Sequence, residues 1–381
     1  MRTRTVAPEQ LPVNPIEFTA PLANSVDYPK PLFLALPSSP GQGVIETRAA
    51  PIGVGQTLMS THARYALALI ARAELKPGAL VLLPAYHCPA LVEPFVWAGC
   101  RVEFYPMSLD LSPDNHFLAS KLVAAQAIVL VRFFGFDANI KESVAKAKQT
   151  GCLVIEDLAH AAFAEELHGD YGVTSLKKFY PVDDGAEIYV HQGRDITALK
   201  RAIAEHQKSS WQWYMEYMAS KLLRKIGTKL KLSLYNSSPF RYFYPEDFGN
   251  AVAHFRKTES CFQPGAGLIE SRRRNYLAIQ EKLENSTIGS PLFPLLEDNT
   301  APYVFPFLLS DSRYFDPIRS AGIPLFRWEE LALSGCDTSA QFRSRLIQIP
   351  CHQELSGSNL ESIAQAFERA RTIVEKSHGY S

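Results

Sequence analysis

The chain has 381 residues, more than one simple domain needs and enough for a large α/β domain with a smaller one beside it. Lys plus Arg and Asp plus Glu both number 39, so no net field draws the protein to nucleic acid or to an anionic membrane. A small neutral or mixed-charge ligand is the easier partner.

Cys88, Cys100, Cys152, Cys261, Cys336 and Cys351 are scattered without a CxxC pair, which reads as a reducing compartment. The N-terminal MRTRTVAPEQLPVNPIEF carries basic residues but no apolar core of a leader peptide. No uncharged stretch approaches the roughly 20 apolar residues that span a bilayer. The expectation is a cytoplasmic protein without membrane contact.

Residues 1–58 are rich in Pro and Gly around PLFLALPSSPGQG and read as an arm or irregular lead-in. Such arms often pack on a neighbouring subunit. Ser60-Thr61 give a helix-start signal ahead of ARYALALIARAEL, whose apolar residues recur at helical spacing up to Lys76-Pro77-Gly78. A strand from Ala79 to Leu83 is closed by Pro84.

The plan then repeats, with helix LVEPFVWAG, strand CRVEFYPM, helix HFLASKLVAA, strand AIVLVRFF, helix IKESVAKAKQTG and strand CLVIED. Strands alternating with helices predict a parallel sheet with right-handed crossovers, complete by about residue 190. The continuous apolar run Ala127 to Val131 suits a strand covered on both faces.

From Ile196 to Leu232 the pattern turns helical and basic, with Trp211, Trp213 and Tyr214 set against Lys221, Arg224 and Lys225. It reads as an amphipathic helix with a solvated face. Residues 233–266 form an aromatic connector. Beyond it the helix IESRRRNYLAIQEKLEN, the run YVFPFLL, a helix near Ser312 to Ala321, the strand LIQIP and a closing helix LESIAQAFERARTIVEK compose an α+β unit. The domain boundaries expected are 1–58 for the lead-in, 59–263 for the large domain with its connector, and 264–381 for the small domain.

The chemistry concentrates in residues 151–190, GCLVIEDLAHAAFAEELHGDYGVTSLKKFYPVDDGAEIYV. An apolar strand delivers Asp157 to its C-terminal end, where open α/β sheets hold ligands. The pair Lys177-Lys178 supplies the residue type that captures a carbonyl as a Schiff base. An acid for a pyridinium nitrogen together with such a lysine suggests pyridoxal phosphate (PLP). Asp157 is equally the residue type that caps a following helix. His160, three positions on, either lies beside the ring or is structural.

The two lysines are not separated by pattern. If the strand continues, Ser175 and Lys177 share a face, whereas a turn frees Lys178. The start of the helix after Ser60 offers free N–H groups to a phosphate, with Ala63 and Arg64 in its first turn and Arg64 able to add a bidentate contact. His87 and Cys88 follow Pro84 at the mouth of the cleft. Their adjacency is not a nucleophile-base pair, and neither they nor Cys351-His352 have metal-ligand spacing. No metal is expected.

The order of these motifs resembles the fold type I, PLP-dependent aminotransferases of the DegT/DnrJ type, which mostly aminate nucleotide-linked keto sugars. The stretches that carry the resemblance are STHARYALALIARAELKPGALVLLPAYHCPAL, WAGCRVEFYPMSLD, VLVRFFG, VIEDLAHA, GDYGVTSLKKFYPVDDGA, RRRNY, AGIPLFRWEEL and IQIPCHQEL.

The resemblance implies a three-layer large domain with a mainly parallel sheet, a smaller α+β domain, and a homodimer. It implies that Asp157 meets the pyridine nitrogen, His160 stands where many members have a Gln near the ring oxygen, and Ser175 holds the phosphate. It selects Lys178 as the Schiff-base lysine, with Lys177 in the place of an Arg. The chain departs from the family at His62-Ala63-Arg64, where most members have Ser-Gly-Thr. It departs again at Cys88, where many have the aromatic that stacks on the ring, leaving His87 or Tyr86 for that work. The usual Gly-x-Asn-x-Arg segment is replaced, with Asn250 the nearest candidate.

The function implied is transfer of an amino group from a donor such as glutamate to a keto acceptor. The alternative is a non-catalytic homologue that keeps the fold as a scaffold.

Overall fold

The structure, a computed structural model, describes residues 16–22, 28–37, 50–137, 139–182, 185–206, 215, 240–245, 248 and 266–378. Most of the basic helical stretch after residue 206, together with Asn250, Cys261 and Asp183, lies outside the described residues.

The large sheet has seven strands in the order β1-β7-β6-β5-β4-β2-β3. These are β1 (Val54–Ser60), β2 (Leu80–Pro84), β3 (Arg101–Tyr105), β4 (Ala127–Val131), β5 (Leu153–Leu158), β6 (Tyr171–Thr174) and β7 (Ala186–His191). Strands β3, β2, β4, β5 and β6 are parallel, and β7 runs antiparallel to both of its neighbours. Helices α1 (Ala63–Glu74), α2 (Pro89–Trp97), α3 (Asn115–Lys121) and α4 (Ile140–Gln149) form the crossovers, and α5 (Thr197–His206) packs beside α1.

The alternation of buried runs and helical stretches produces this order. All of β4 is buried, as a central strand between helical layers requires. The apolar face of α1, Tyr65 to Ala71, is buried as well. Asp114 starts α3 by accepting from the N–H groups of His116 and Phe117 at 2.9 and 3.0 Å, the N-cap geometry its residue type favours.

The C-terminal part carries a three-stranded antiparallel sheet of order β10-β9-β8, from β8 (Gly289–Pro291), β9 (Val304–Leu309) and β10 (Leu346–Pro350). Around it lie α6 (Ala266–Leu283), α7 (Phe315–Ser320), α8 (Asp337–Arg345) and α9 (Gly357–His378).

One expectation is corrected. Val54–Ser60 forms an edge strand paired with β7, so the lead-in is not irregular to its end. The described pieces of the arm also bond to this chain's own C-terminal part. Thr19 Oγ1 donates to Glu329 O at 2.7 Å, Leu32 N to Gly322 O at 2.9 Å, and Leu34 O lies 2.8 Å from His352 Nε2.

Candidate active site

Strands β4 and β5 run side by side to the pair Val131 and Asp157, and their C-terminal ends collect the ionisable groups singled out above. Glu156 is fully buried beside Arg132, at 2.7 Å, and accepts from the N–H groups of His168 and Gly169 at 2.6 and 2.5 Å. This pinned residue fixes the strand one position before Asp157. Asp157 Oδ1 accepts from Ala159 N at 2.8 Å within a turn; no helix lies between β5 and β6, so the helix-capping expectation is corrected. Burial raises the Asp157 pKa above the usual carboxylate range, opposed by the Ala159 N–H and the charge of Lys178.

His160 is buried between two rings, with Phe134 at 5.5 Å and Tyr303 at 4.6 Å, both nearly parallel to it, and Trp328 at 5.5 Å. Burial first, then the charge of Lys178, holds its pKa well below the ordinary histidine value, so the imidazole is neutral. Nδ1 faces the Phe134 N–H at 3.4 Å and Nε2 lies 2.5 Å from Lys178 Nζ.

Strand β6 stops at Thr174 and Leu176–Lys178 forms a 3-10 turn. The alternation that would have paired Ser175 with Lys177 therefore does not extend this far. Lys178 is half-buried, with Nζ over the Tyr303 ring at 5.0 Å, while Lys177 is exposed. Ser175 precedes the turn in an extended conformation, and its side chain makes no capping bond.

The lysine turn is tied to the start of α1 through the backbone. Leu176 N donates to Gly185 O at 2.9 Å, and Gly185 N to Thr61 O at 2.5 Å. His62 is the N-cap of α1, yet no side chain caps the helix, so its first-turn N–H groups at Ala63 and Arg64 face outward with the positive end of the dipole. The Arg64 guanidinium donates to Tyr242 O. Burial, followed by the charges of Arg64 and Lys177, pushes His62 down to about 4. Arg64 and Lys177 therefore act on the same helix start.

Of His87 and Cys88, only Cys88 shares the electrostatics of this site. Burial raises its thiol pKa, with the Lys178 charge lowering it and Asp157 raising it. The His87 ring is committed elsewhere. Its Nε2 accepts from Ala332 N at 3.1 Å, and the ring stacks on Phe104 at 5.1 Å. The expectation that His87 covers a cofactor ring is corrected, because a buried imidazole bonded to that N–H cannot turn to the cleft. Tyr86 packs tilted against Trp328 at 4.9 Å, whose ring also meets His160.

Phe134, Tyr303 and Trp328 were not singled out from the sequence. VLVRFFG, YVFPFLL and AGIPLFRWEEL mark their segments, but no periodicity says which side chains turn to His160. A cleft of about 530 Å³ lies at the opposite, N-terminal end of the parallel strands, lined by Glu74, Asp170, His191 and Arg194 among others. There Arg194 bridges Glu74 at 2.7 Å and Asp170 at 3.0 Å.

Residues 54–183 match the model of the DegT/DnrJ/EryC1/StrS aminotransferase family. Protein MosB of Rhizobium meliloti is 30% identical over 141 residues, 33% of this chain and 27% of MosB, so the match spans about a quarter of that relative's length. Among solved structures, a DegT DnrJ EryC1 StrS aminotransferase from Brucella abortus is 19% identical over 83% of this chain and 86% of its own, with a TM-score of 0.58. PseC of Helicobacter pylori, an aminotransferase involved in the biosynthesis of pseudoaminic acid, is 16% identical over 84% and 87%, with a TM-score of 0.63. Spr1654 of Streptococcus pneumoniae in its PLP form is 14% identical over 84% and 88%, with a TM-score of 0.63. Residues 54–183, which carry Asp157, His160, Ser175 and Lys178, thus match the DegT/DnrJ/EryC1/StrS aminotransferase family model, and the chain shares the fold of these solved aminotransferases.

Proposed function

We propose that the protein is a PLP-dependent aminotransferase, acting as a homodimer in the cytoplasm, with Lys178 as the residue that holds the cofactor. The observation that carries this reading is Lys178 Nζ 2.5 Å from His160 Nε2, with Asp157 close enough for Lys178 to act on its titration. The amino donor is glutamate and the acceptor a nucleotide-linked keto sugar, by analogy with the matched family. Among the described residues no helix is long and apolar enough to cross a membrane.

The donor set fits PLP. The uncapped start of α1 at Ala63 and Arg64 offers N–H groups and a dipole to a phosphate, and the charges of Arg64 and Lys177 both act on its N-cap residue His62. Ser175 has an uncommitted hydroxyl as far as its own turn is concerned. Burial raises the Asp157 pKa against the opposing charge of Lys178, so a cationic ring nitrogen would further favour its ionised form. Cys88 rather than an aromatic lies toward the site.

When bound, PLP supplies an electron-poor ring that stabilises negative charge on the carbon next to the amino nitrogen. Lys178 would hold it at Nζ and, when free of it, carry a proton at that atom. With Nδ1 accepting from the Phe134 N–H, the neutral imidazole carries its hydrogen on Nε2, which can donate to Nζ whenever that amine is unprotonated and so orient it. Phe134, Tyr303 and Trp328 enclose His160 and keep water from it.

The test is spectroscopic and chemical. Protein incubated with PLP should develop a visible-range band, and borohydride should then fix a pyridoxyl group on Lys178, located by peptide mass spectrometry. A label on Lys177 would reassign the lysine, and no label would end the cofactor reading. One feature favours a second reading, a non-catalytic scaffold: where the family has Ser-Gly-Thr, His62-Ala63-Arg64 brings no hydroxyl to the α1 start. Release of 2-oxoglutarate from glutamate would exclude that reading.

A further inference from the structure

Arg272 on α6 is fully buried, among the largest side chains in the core to be so. None of the partners the structure gives it is a carboxylate. Its guanidinium donates to Pro302 O at 3.2 Å, Tyr303 O at 3.1 Å and Lys178 O at 3.4 Å, and its Nε to Gln353 Oε1 at 3.0 Å. Its face lies over the Phe179 ring at 4.7 Å. Gln353 completes the arrangement by donating Nε2 to Phe179 O at 3.1 Å.

A cation buried without a counter-ion is costly, and a core helix has cheaper ways to fill this volume. What this arginine provides is geometric. Its rigid fork holds at once the carbonyls of Lys178 and Tyr303, the two residues whose side chains meet where Nζ lies over the ring at 5.0 Å. Tyr303 is also the ring stacked on His160, the partner of the same Nζ. The Lys178 turn comes from the large sheet and Tyr303 from the approach to β9. Arg272 bonds the backbone of both segments, and Gln353 bonds that of the lysine turn.

We propose that Arg272, held by Gln353, is a positioning residue that sets Lys178 Nζ against His160 and Tyr303. The inference rests on Lys178 being the cofactor lysine. A flexible or shorter side chain at residue 272 would leave Lys178 in place in the chain while letting its turn and the Tyr303 segment move apart. Lysine at this position keeps the charge but cannot reach all the acceptors in one plane.

Wild type, Arg272→Met, Arg272→Lys and Gln353→Leu should each be titrated with PLP, following the visible band and its dependence on pH, with folding checked by circular dichroism and thermal melting. The expected result is at least tenfold weaker retention of PLP and a shifted pH midpoint of the band in Arg272→Met, with partial rescue in Arg272→Lys. Gln353→Leu should move the band in the same direction by less. A folded Arg272→Met with the wild-type midpoint and affinity would overturn the positioning role. If Arg272→Met does not fold, an unchanged band in Gln353→Leu would overturn it instead. A wild-type protein that forms no band would fail at the proposed function itself, and the positioning role would fall with it.

Discussion

The adjacent Lys177 and Lys178 face different surroundings because the strand ends before them. In continuous β-structure neighbours point to opposite faces, and that rule would have sent Lys177 inward with Ser175. The turn at Leu176–Lys178 rotates the frame, so Lys178 Nζ reaches His160 and Lys177 stays exposed. Asp157 was legible because it ends a buried run. The choice of lysine was not, because a three-residue turn leaves no periodic signature. Nor was the packing of His87 away from Lys178, which depends on an N–H at Ala332 far along the chain. Lys177→Ala should keep the borohydride label on Lys178 while weakening PLP retention about two- to fivefold, the reach of an exposed charge worth up to about 1 kcal/mol. Raising the salt concentration should shrink the difference. Loss of the Lys178 label in this variant would contradict the assignment.

At the scale of elements, the run AIVLVRFF reads as one strand through Phe134, yet β4 ends at Val131 and Phe133–Gly135 forms a turn with left-handed backbone at Phe134 (φ 60°) and Gly135 (φ 99°). The turn is set by what it meets. Tyr303 N donates to Phe134 O at 2.8 Å, and a Cβ on Gly135 would lie 2.4 Å from Ala301 O. It places the Phe134 ring on His160. Strand β1 escaped notice for the opposite reason, since VGQTLMS is an edge strand with most residues exposed and no apolar run to mark it. Gly135→Ala combines a positive φ with a backbone clash, and should cost more than about 1 kcal/mol. Urea unfolding should show a lower midpoint at unchanged slope, and PLP retention should fall because the His160 wall shifts. A midpoint equal to wild type would show that the turn adjusts freely.

Across the whole molecule, the parallel core was legible because each strand-helix step is local. The docking of the arm on the C-terminal part was not, because contacts such as Thr19 with Glu329 join residues 310 positions apart. The same long-range packing buries histidines in neutral form. Burial is the leading cause of lowered pKa values at His62 and His87, both about 4, and at His160 and His352. In the unfolded chain these groups protonate near 6.5. Between about 6.5 and 4 the unfolded state therefore binds more protons, and stability falls as pH falls. Asp157 and Glu93 act in the opposite sense, since burial raises their pKa values and the fold keeps their protons at a pH where the unfolded chain has released them. A single substitution separates the two effects. His87→Gln keeps an acceptor for the Ala332 N–H but removes the titration, and His87 is only 1% exposed, so its share is not weakened by solvent. Urea unfolding of both proteins at pH 7 and pH 4.5 should show wild type losing on the order of 2 kcal/mol more than His87→Gln, since one pKa unit corresponds to about 1.4 kcal/mol. Parallel losses in the two proteins would mean that His87 takes up its proton without leaving its place against Phe104 and Ala332.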